Sequence, residues 1–175
     1  MKPICTAIIL CFAYAFSLTG NKKIVLTPDS TFVVKKDSAI KKNKADTIIE
    51  FAEGFLGTKY CYGSCSPQKG FDCSGFVYYV FKQNGITLPR TSFDMGHFGK
   101  QVPLSECRKG DIILFKGPNA KIQRIGHAGL IISEKGEPVR FIHSSSNTKC
   151  GGVIESFYNE SSYYSKRFVK VIRVL

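Results

Sequence analysis

The stretch GFDCSGF at residues 70–76 leads into a helical pattern that runs to Asn84 and ends at Gly85. Four apolar positions fall on one face of this predicted helix: Phe76, Val77, Val80 and Phe81. Cys73 stands at its start, where unpaired backbone N–H groups and the helix dipole favour a negative charge. We therefore expect the pKa of this thiol to be lowered, which would make Cys73 a nucleophile.

A helical pattern also precedes this stretch, and strand patterns follow it. Thr47 and Glu50 form a predicted capping box that opens a helix over residues 48–56, and Gly57 is its predicted stop. Five strands are predicted beyond the second helix: residues 111–115, 127–133, 139–145, 153–156 and 168–175. Helices followed by strands in this order predict an α+β domain with a mainly antiparallel sheet.

Two of the three histidines are predicted to meet across a β-hairpin. Residues 133–137 have the pattern of a three-residue turn with Gly136 in the left-handed position. This turn places His127 directly opposite His143 on one sheet face, where one imidazole can act as a base while the other orients it. A slip of one residue would move His143 to the other face. His97 is expected to be an ordinary surface residue.

The N-terminal residues have the pattern of a secretory signal peptide. Lys2 precedes an apolar run over residues 4–16 that is too short to cross a bilayer. We expect residues 1–20 to be a signal peptide and residues 21–45, with seven lysines against two aspartates, to be a basic arm or linker. Residues 46–175 would then form the catalytic domain of an exported protein without stable membrane insertion.

The composition indicates one globular domain. The chain has 175 residues, of which 43% are apolar, and it contains 14 phenylalanines and 8 tyrosines, which excludes a disordered chain. Its net charge is +12. The lysine-rich arm has two interpretations: it favours anionic envelope surfaces, or it is only a solvated linker. Nucleic acid is not an expected partner, because the chain is predicted to be exported and carries no nucleic-acid-binding motif.

The cysteines divide into those lost with the signal peptide and those kept. Removal of residues 1–20 deletes Cys5 and Cys11 and leaves an odd number of cysteines. The five that remain are Cys61, Cys65, Cys73, Cys107 and Cys150. We expect Cys73 to stay free, and the other four allow three pairings among which the sequence does not choose.

Four sequence blocks, in this order, resemble those of the NlpC/P60 cysteine peptidases. They are GFDCSGF at residues 70–76, LPRTS at 88–92, KGDIILF at 109–115 and GHAGL at 126–130. The resemblance extends from residue 47 to the C-terminus. It implies a papain-like α+β fold and hydrolysis of peptidoglycan stem peptides at the bond between γ-D-glutamyl and the following diamino acid.

The same resemblance implies a role for individual residues. Cys73 corresponds to the nucleophile, His127 to the base and His143 to the residue that orients the base. Tyr60 matches a tyrosine that contributes, with the Cys73 N–H, to the oxyanion site. Three further residues match positions that hold the free amino end of an L-Ala-γ-D-Glu stem: Asp72, Ser74 and Ser92. A carboxylate and two hydroxyls suit an ammonium group. No cofactor and no metal are expected.

Some features depart from the family pattern or leave alternatives open. Tyr62 stands in a loop where a Gly-Gly pair is common, and Met95 replaces a frequent glutamine, so both bear on peptide preference. Arg90 is interpreted as a brace for its loop. Three alternatives remain: an amidase or acyltransferase that uses the same Cys-His chemistry, a non-catalytic envelope-binding module, and a zinc site. The zinc ligands would be Cys61, Cys65, Cys73 and a histidine.

Overall fold

The computed structural model describes residues 42–119, 121–147, 151–160 and 162–175. The predicted signal peptide and most of the predicted basic arm lie outside these residues. In chain order the helices and strands are α1 (Lys44–Glu53), β1 (Cys65–Ser66), β2 (Gly70–Phe71), α2 (Cys73–Gln83), α3 (Ser92–Met95), β3 (Lys100–Val102), a 3₁₀ turn (Leu104–Glu106), β4 (Ile112–Lys116), β5 (Ile125–Ile131), β6 (Arg140–Ser145), β7 (Gly152–Phe157), α4 (Ser162–Ser165) and β8 (Phe168–Arg173). None of the helices in these ranges is long and apolar enough to cross a membrane.

A six-stranded antiparallel sheet dominates the fold. Its strand order is β3-β8-β4-β5-β6-β7, while β1 and β2 form a separate two-stranded sheet. The five predicted strands are present as β4 to β8, with bounds within two residues of those expected. The α+β prediction is therefore confirmed. The edge strand β3 was not predicted, because three residues are too few to show an alternating pattern.

Helix α1 begins earlier than its sequence pattern suggests. Asn43 is the N-cap, and its Oδ1 accepts a hydrogen bond from the Asp46 N–H at 2.8 Å. The predicted capping box of Thr47 and Glu50 is therefore wrong: the Thr47 hydroxyl instead donates back to the Asn43 carbonyl at 3.3 Å. Asn43 gives the helix one more turn upstream. The helix ends at Glu53, and Gly57 takes a positive φ of 82° in the turns that follow.

Helix α2 matches its prediction. Asp72 is the N-cap, Asn84 is the C-cap, and Gly85 adopts a φ of 80° directly after the helix. The four predicted core positions, Phe76, Val77, Val80 and Phe81, are all fully buried. Their apolar face fixes α2 against the sheet and holds its first residue, Cys73, near one end of β5.

The two faces of the sheet carry separate apolar clusters, as alternation along strands requires. One face packs against α1 and α2 through residues such as Leu114, Ala128 and Leu130. The other face carries Phe115, Phe141 and their neighbours. The rings of His127 and His143 lie on this second face, at 6.0 Å from Phe115 and 5.1 Å from Phe141 respectively.

A buried ion pair fixes the start of β4 to the end of β8. Asp111 is 1% exposed, and both of its carboxylate oxygens accept hydrogen bonds at 2.8 Å from the guanidinium of Arg173. Asp111 Oδ2 also accepts from the Arg108 N–H at 3.0 Å. The KGDIILF block at residues 109–115 thus supplies most of β4 and the aspartate that fixes β4 to β8.

Candidate active site

The nucleophile candidate sits in a tightly built helix start. The carboxylate of Asp72 accepts a hydrogen bond from the Gly75 N–H at 2.6 Å, and Cys73 follows as the first helical residue. A Cβ on Gly75 would lie 2.2 Å from the carbonyl oxygen of Ser64, so only glycine fits at this point of the motif. The Cys73 thiol donates to the carbonyl oxygen of Gly126 at 3.8 Å, next to His127 in the chain.

Arg90 clamps the helix start from the side. Its Nη2 lies 2.6 Å from Asp72 Oδ2 and its Nη1 lies 3.0 Å from Asp72 Oδ1. Nη1 also donates to the hydroxyl of Ser74 at 3.1 Å. Asp72 and Ser74 are each 7% exposed, whereas the side chain of Arg90 is 34% exposed, so the clamp is buried on its helix side and open to water on the side of Arg90. This geometry fits the interpretation of Arg90 as a brace.

The two histidines share a face but are not directly opposed. Strand β5 pairs with β6 so that Leu130 faces Ile142, which puts His143 opposite Gly129 rather than opposite His127. The pairing is thus two residues away from the prediction, and a shift of two keeps both rings on one face. His127 Nε2 lies 2.9 Å from His143 Nδ1, a hydrogen bond along the diagonal.

The turn explains the two-residue difference. Gly136 has the expected positive φ of 88°, but the chain reverses over a longer loop than three residues. Ile132 N–H donates to the Arg140 carbonyl, and Arg140 N–H donates to the side chain of Ser133 at 3.1 Å. A side-chain oxygen therefore takes the place of a ladder carbonyl, which composition alone does not reveal.

The glycines around His127 allow close backbone packing and leave space for Phe141 and His143, and the atoms nearest to a Cβ at these positions do not belong to Cys73. A Cβ on Gly126 would lie 2.7 Å from the Cα of Gly117 in the neighbouring segment. One on Gly129 would lie 2.7 Å from the ring of Phe141 and 3.4 Å from the Cβ of His143. Gly129 thus makes the room in which the second imidazole lies.

The Nε2 atom of His143, which does not contact His127, has two hydrogen-bond partners that were not predicted from the sequence. Nε2 lies 3.0 Å from the Ser156 hydroxyl and 3.1 Å from the Tyr164 hydroxyl. Ser156 shares a face of the sheet with His143, because Ile154 faces His143 and Ser156 faces Phe141. Strand alternation was therefore a usable signal for Ser156. Tyr164 lies on the short helix α4, where no periodicity points toward the site.

One hollow of about 630 Å³ joins the predicted catalytic residues. Tyr60, Cys73, His127 and His143 all line it. Its charged lining residues are Lys116 and Arg167, and none of the described lining residues is an aspartate or glutamate. Tyr62, which is 89% exposed, stands at the rim, whereas Met95 is fully buried in the core. The charged side chains that line the hollow are thus both cationic.

The remaining predicted binding residues lie elsewhere. Asp72 and Ser74 belong to the Arg90 clamp and do not line this hollow. Ser92 is 8% exposed and lines a second hollow of about 440 Å³, together with Asp94 and Arg124. The two hollows share Gly117, Pro118 and Gly126.

Burial shifts the pKa values of the reacting groups apart. It raises the pKa of the Cys73 thiol, and the nearby Asp72 carboxylate raises it further, although N–H groups of Cys73, Ser74 and Ala128 oppose the shift. The expected lowering by the helix N-terminus is therefore wrong in sign, because desolvation outweighs it. Burial lowers the pKa of His127 to about 4. The free site thus holds a neutral thiol beside a neutral imidazole.

The other two predicted site residues that line the hollow, His143 and Tyr60, are also held neutral. Burial, together with the proximity of His127, lowers the pKa of His143 well below its usual range. Burial and the neighbouring Cys73 raise the pKa of Tyr60 to about 12, so its hydroxyl keeps its proton and can donate a hydrogen bond. Neutral groups suit a site that must accept a proton and then stabilise an oxyanion.

The described cysteines are not joined by disulfides. Cys61, Cys65, Cys73 and Cys107 are all free, while Cys150 lies outside the described residues. The free state of Cys73 agrees with its expectation. Across the described part of the chain, no group of three or more histidine, cysteine, aspartate or glutamate residues could hold a metal ion, so the zinc alternative gains no support.

The fold and the site define a class of protein. The sequence profile of the NlpC/P60 family matches residues 57–173, and the chain belongs to this family. A crystal structure of an NlpC/P60 family protein from Bacillus cereus superposes with a TM-score of 0.65 at 30% identity, over 77% of this chain and 41% of that one. The predicted papain-like α+β fold is thereby confirmed.

Two relatives carry names that state an enzymatic activity. A γ-D-glutamyl-L-lysine dipeptidyl-peptidase of Bacillus subtilis is 36% identical over 157 residues, which make up 88% of this chain and 50% of that protein. The murein DD-endopeptidase MepS/murein LD-carboxypeptidase of Escherichia coli is 37% identical over 120 residues, or 68% of this chain and 57% of that protein. The chain thus matches about half of the length of each relative.

Proposed function

We propose that this protein is a cysteine endopeptidase that hydrolyses peptidoglycan stem peptides at the bond between γ-D-glutamyl and the diamino acid. The observation that carries the proposal is the shared hollow, in which Cys73 at the start of α2 meets the hydrogen-bonded pair of His127 and His143. Family membership and the activities for which the relatives are named support a peptidase that acts on the cell wall.

In the proposed reaction, His127 acts as the general base. Its Nε2 is engaged by His143, which leaves Nδ1 as the nitrogen available to the thiol. The Cys73 proton passes to this nitrogen as the sulfur attacks the amide carbonyl, because the resting pair is neutral. His127 then protonates the leaving amine, and water hydrolyses the thioester.

The oxyanion is proposed to be held by two donors. One is the backbone N–H of Cys73 at the open end of α2, and the other is the hydroxyl of Tyr60. Tyr60 lines the same hollow as the thiol, and its raised pKa keeps the hydroxyl protonated at any physiological pH.

The charges around the site support an anionic peptide as the substrate. Lys116 and Arg167 line the hollow, and stem peptides carry free carboxylates that these cations can bind. We propose that Asp72, Ser74 and Ser92 hold the free amino end of the stem. An incoming ammonium would then share the Asp72 carboxylate with Arg90.

A second candidate bond is the DD-cross-link between stems. The identity of 37% to a protein named as a murein DD-endopeptidase favours it. Both candidates require export, which we propose to depend on residues 1–20 as a signal peptide, with residues 21–45 as a basic linker. The substrate then lies in the cell envelope, where the protein is proposed to act.

Defined muropeptides test the proposal, with products identified by mass spectrometry. The panel contains stems with a free or an acetylated L-Ala amino end, and a DD-cross-linked dimer. We expect cleavage after γ-D-glutamyl, with a preference for the free amino end. Cleavage of the dimer alone would select the second candidate, and transfer or release of another acyl group would overturn both.

Two variants tie the activity to the site. Cys73→Ala should abolish hydrolysis, and Tyr60→Phe should lower kcat by roughly 10²–10³-fold, as the loss of one oxyanion donor does. Cys107→Ala, which removes a buried thiol that does not line the hollow, is the matched control and should keep wild-type activity. Hydrolysis by Cys73→Ala at the wild-type rate would refute the proposed nucleophile.

A further inference from the structure

The Nε2 atom of His143 lies on the opposite side of the ring from the nitrogen that contacts His127. His143 is fully buried, so no bulk water reaches Nε2. A buried ring nitrogen needs a hydrogen-bond partner from the protein. Among the described residues, the hydroxyls of Ser156 and Tyr164 are the partners recorded for it, at 3.0 Å and 3.1 Å.

These partners bear on the proton positions that the base requires. His127 can accept the thiol proton on Nδ1 only if its single resting proton is on Nε2, which then donates to His143 Nδ1. A neutral His143 that accepts at Nδ1 must carry its own proton on Nε2. That Nε2–H needs an oxygen acceptor, and each of the two hydroxyls supplies one.

We propose that Ser156 and Tyr164 are positioning residues of the catalytic site, which accept the Nε2–H of His143 and so keep its Nδ1 free for His127. This inference rests on the proposed function, in which His127 is the base. The third residue of the site is a neutral imidazole rather than a carboxylate. The dipoles of the two hydroxyls therefore supply the stabilisation that a negative charge would give when His127 becomes protonated.

The surroundings hold both hydroxyls in place. Ser156 lies on β7, paired with Phe141 of β6. The ring of Tyr164 packs against Phe115 at 5.3 Å and against Phe141 at 5.0 Å. Burial also raises the pKa of Tyr164, so the phenol stays neutral. The two hydroxyls are thus held by packing and strand pairing against the face of the sheet that carries the histidines.

Single and double variants test the proposal. Tyr164→Phe keeps the ring packing and removes only the hydroxyl, and Ser156→Ala removes the other. We expect each single change to lower kcat by less than about tenfold, because the other hydroxyl can still accept the Nε2–H. The double change should lower kcat by about 100-fold, with KM nearly unchanged, because no acceptor then remains. Ser156→Thr should restore most of the activity. Tyr158→Phe, which removes another partly buried tyrosine hydroxyl, is the matched control.

A second readout does not depend on turnover. In ¹⁵N-histidine-labelled Cys73→Ala protein, NMR should show His143 protonated at Nε2, and this signal should shift in the Ser156→Ala/Tyr164→Phe double variant. An unchanged His143 signal, or a double variant with wild-type kcat, would overturn the inference. If the tautomer responds while wild-type protein cleaves no peptide, the hydroxyl placement stands and the proposed peptidase function fails.

Discussion

The candidate active site joins two regions with opposite electrostatic character. The helix region, at the start of α2, is held by a charged pair between Asp72 and Arg90. The sheet region, on β5 and β6, contains two neutral imidazoles bonded to each other and to hydroxyls among aromatic rings. An ion pair therefore holds the helix region in position, whereas the imidazoles of the sheet region are neutral and can accept a proton.

This difference indicates a division of labour. A buried ion pair is costly to break, so the Asp72–Arg90 clamp fixes where the sulfur lies. A buried neutral imidazole resists protonation by solvent but can take a proton from a thiol held beside it. Three changes test the contrast, and they are given from the largest expected effect to the smallest.

Acid should destabilise the protein through its sheet region. The pKa of His127 is about 4 in the folded protein against an ordinary value of 6.5, so between these values the unfolded chain binds a proton that the folded chain does not. The contribution of His127 to stability is complete above pH 6.5 and falls by up to about 3 kcal/mol as the pH drops toward 4. The lowered pKa of His143 adds to the fall in the same direction. Urea unfolding at several pH values measures this slope.

Two histidine variants sharpen that measurement. His127→Gln should reduce the slope between pH 6.5 and 4 but not abolish it, because His143, whose pKa is also lowered by burial, keeps its own contribution. His97→Asn, at an exposed position, should leave the slope unchanged. Equal slopes in wild-type protein and His127→Gln would show that the sheet region does not exclude protons as described.

Loss of Arg90 should destabilise the helix region. Arg90→Ala leaves the Asp72 carboxylate buried without its partner, which should cost about 2 kcal/mol once the partial exposure of Arg90 is taken into account. The control is Arg140→Ala, which breaks an exposed pair with Glu155 at 3.7 Å and should cost less than about 0.5 kcal/mol. Equal losses in urea unfolding would contradict a special role for the clamp.

The smallest expected effect is a change in the reactivity of the thiol when the charge of Asp72 is removed, a substitution that also breaks the ion pair with Arg90. The Asp72 carboxylate raises the pKa of Cys73, so Asp72→Asn lowers that pKa and leaves more thiolate at neutral pH. Asparagine can still cap α2. Alkylation of Cys73 by iodoacetamide at pH 7 should accelerate roughly three- to tenfold. Asp94→Asn, with an exposed carboxylate, should leave the rate unchanged, and a slower reaction in Asp72→Asn would reverse the assigned sign.

Local patterns were enough to predict much of the fold. Helix α2 and the strands β4 to β8 have periodic apolar residues, and Cys73, His127 and His143 stand at recognisable places on them. The start of α1 was misplaced because the cap at Asn43 and the box at Thr47 compete locally. The hairpin register differed by two residues because the Ser133 side chain takes part in the turn.

The sign of the thiol shift and the role of Tyr164 depend on long-range packing. The helix N-terminus favours a thiolate, but burial and the Asp72 charge outweigh it once the chain has folded. Tyr164 contacts His143 across a separation of 21 residues, and no periodic sequence pattern predicts this contact. Such features follow from what surrounds a residue in space and not from its own neighbours in sequence.

The close approach of Gly117 and Gly126 has a consequence for how related enzymes diversify. Any side chain at Gly126 would strike the backbone of Gly117, while a Cβ at Gly117 would lie a comfortable 3.8 Å from the Cα of Gly126. Gly126, on β5, therefore cannot be replaced by a larger residue without moving the backbone, whereas Gly117, in the loop after β4, can be. Both glycines line the two hollows. Substitutions at position 117 should therefore be able to change the shape of both hollows, and with it the substrate preference, without displacing His127.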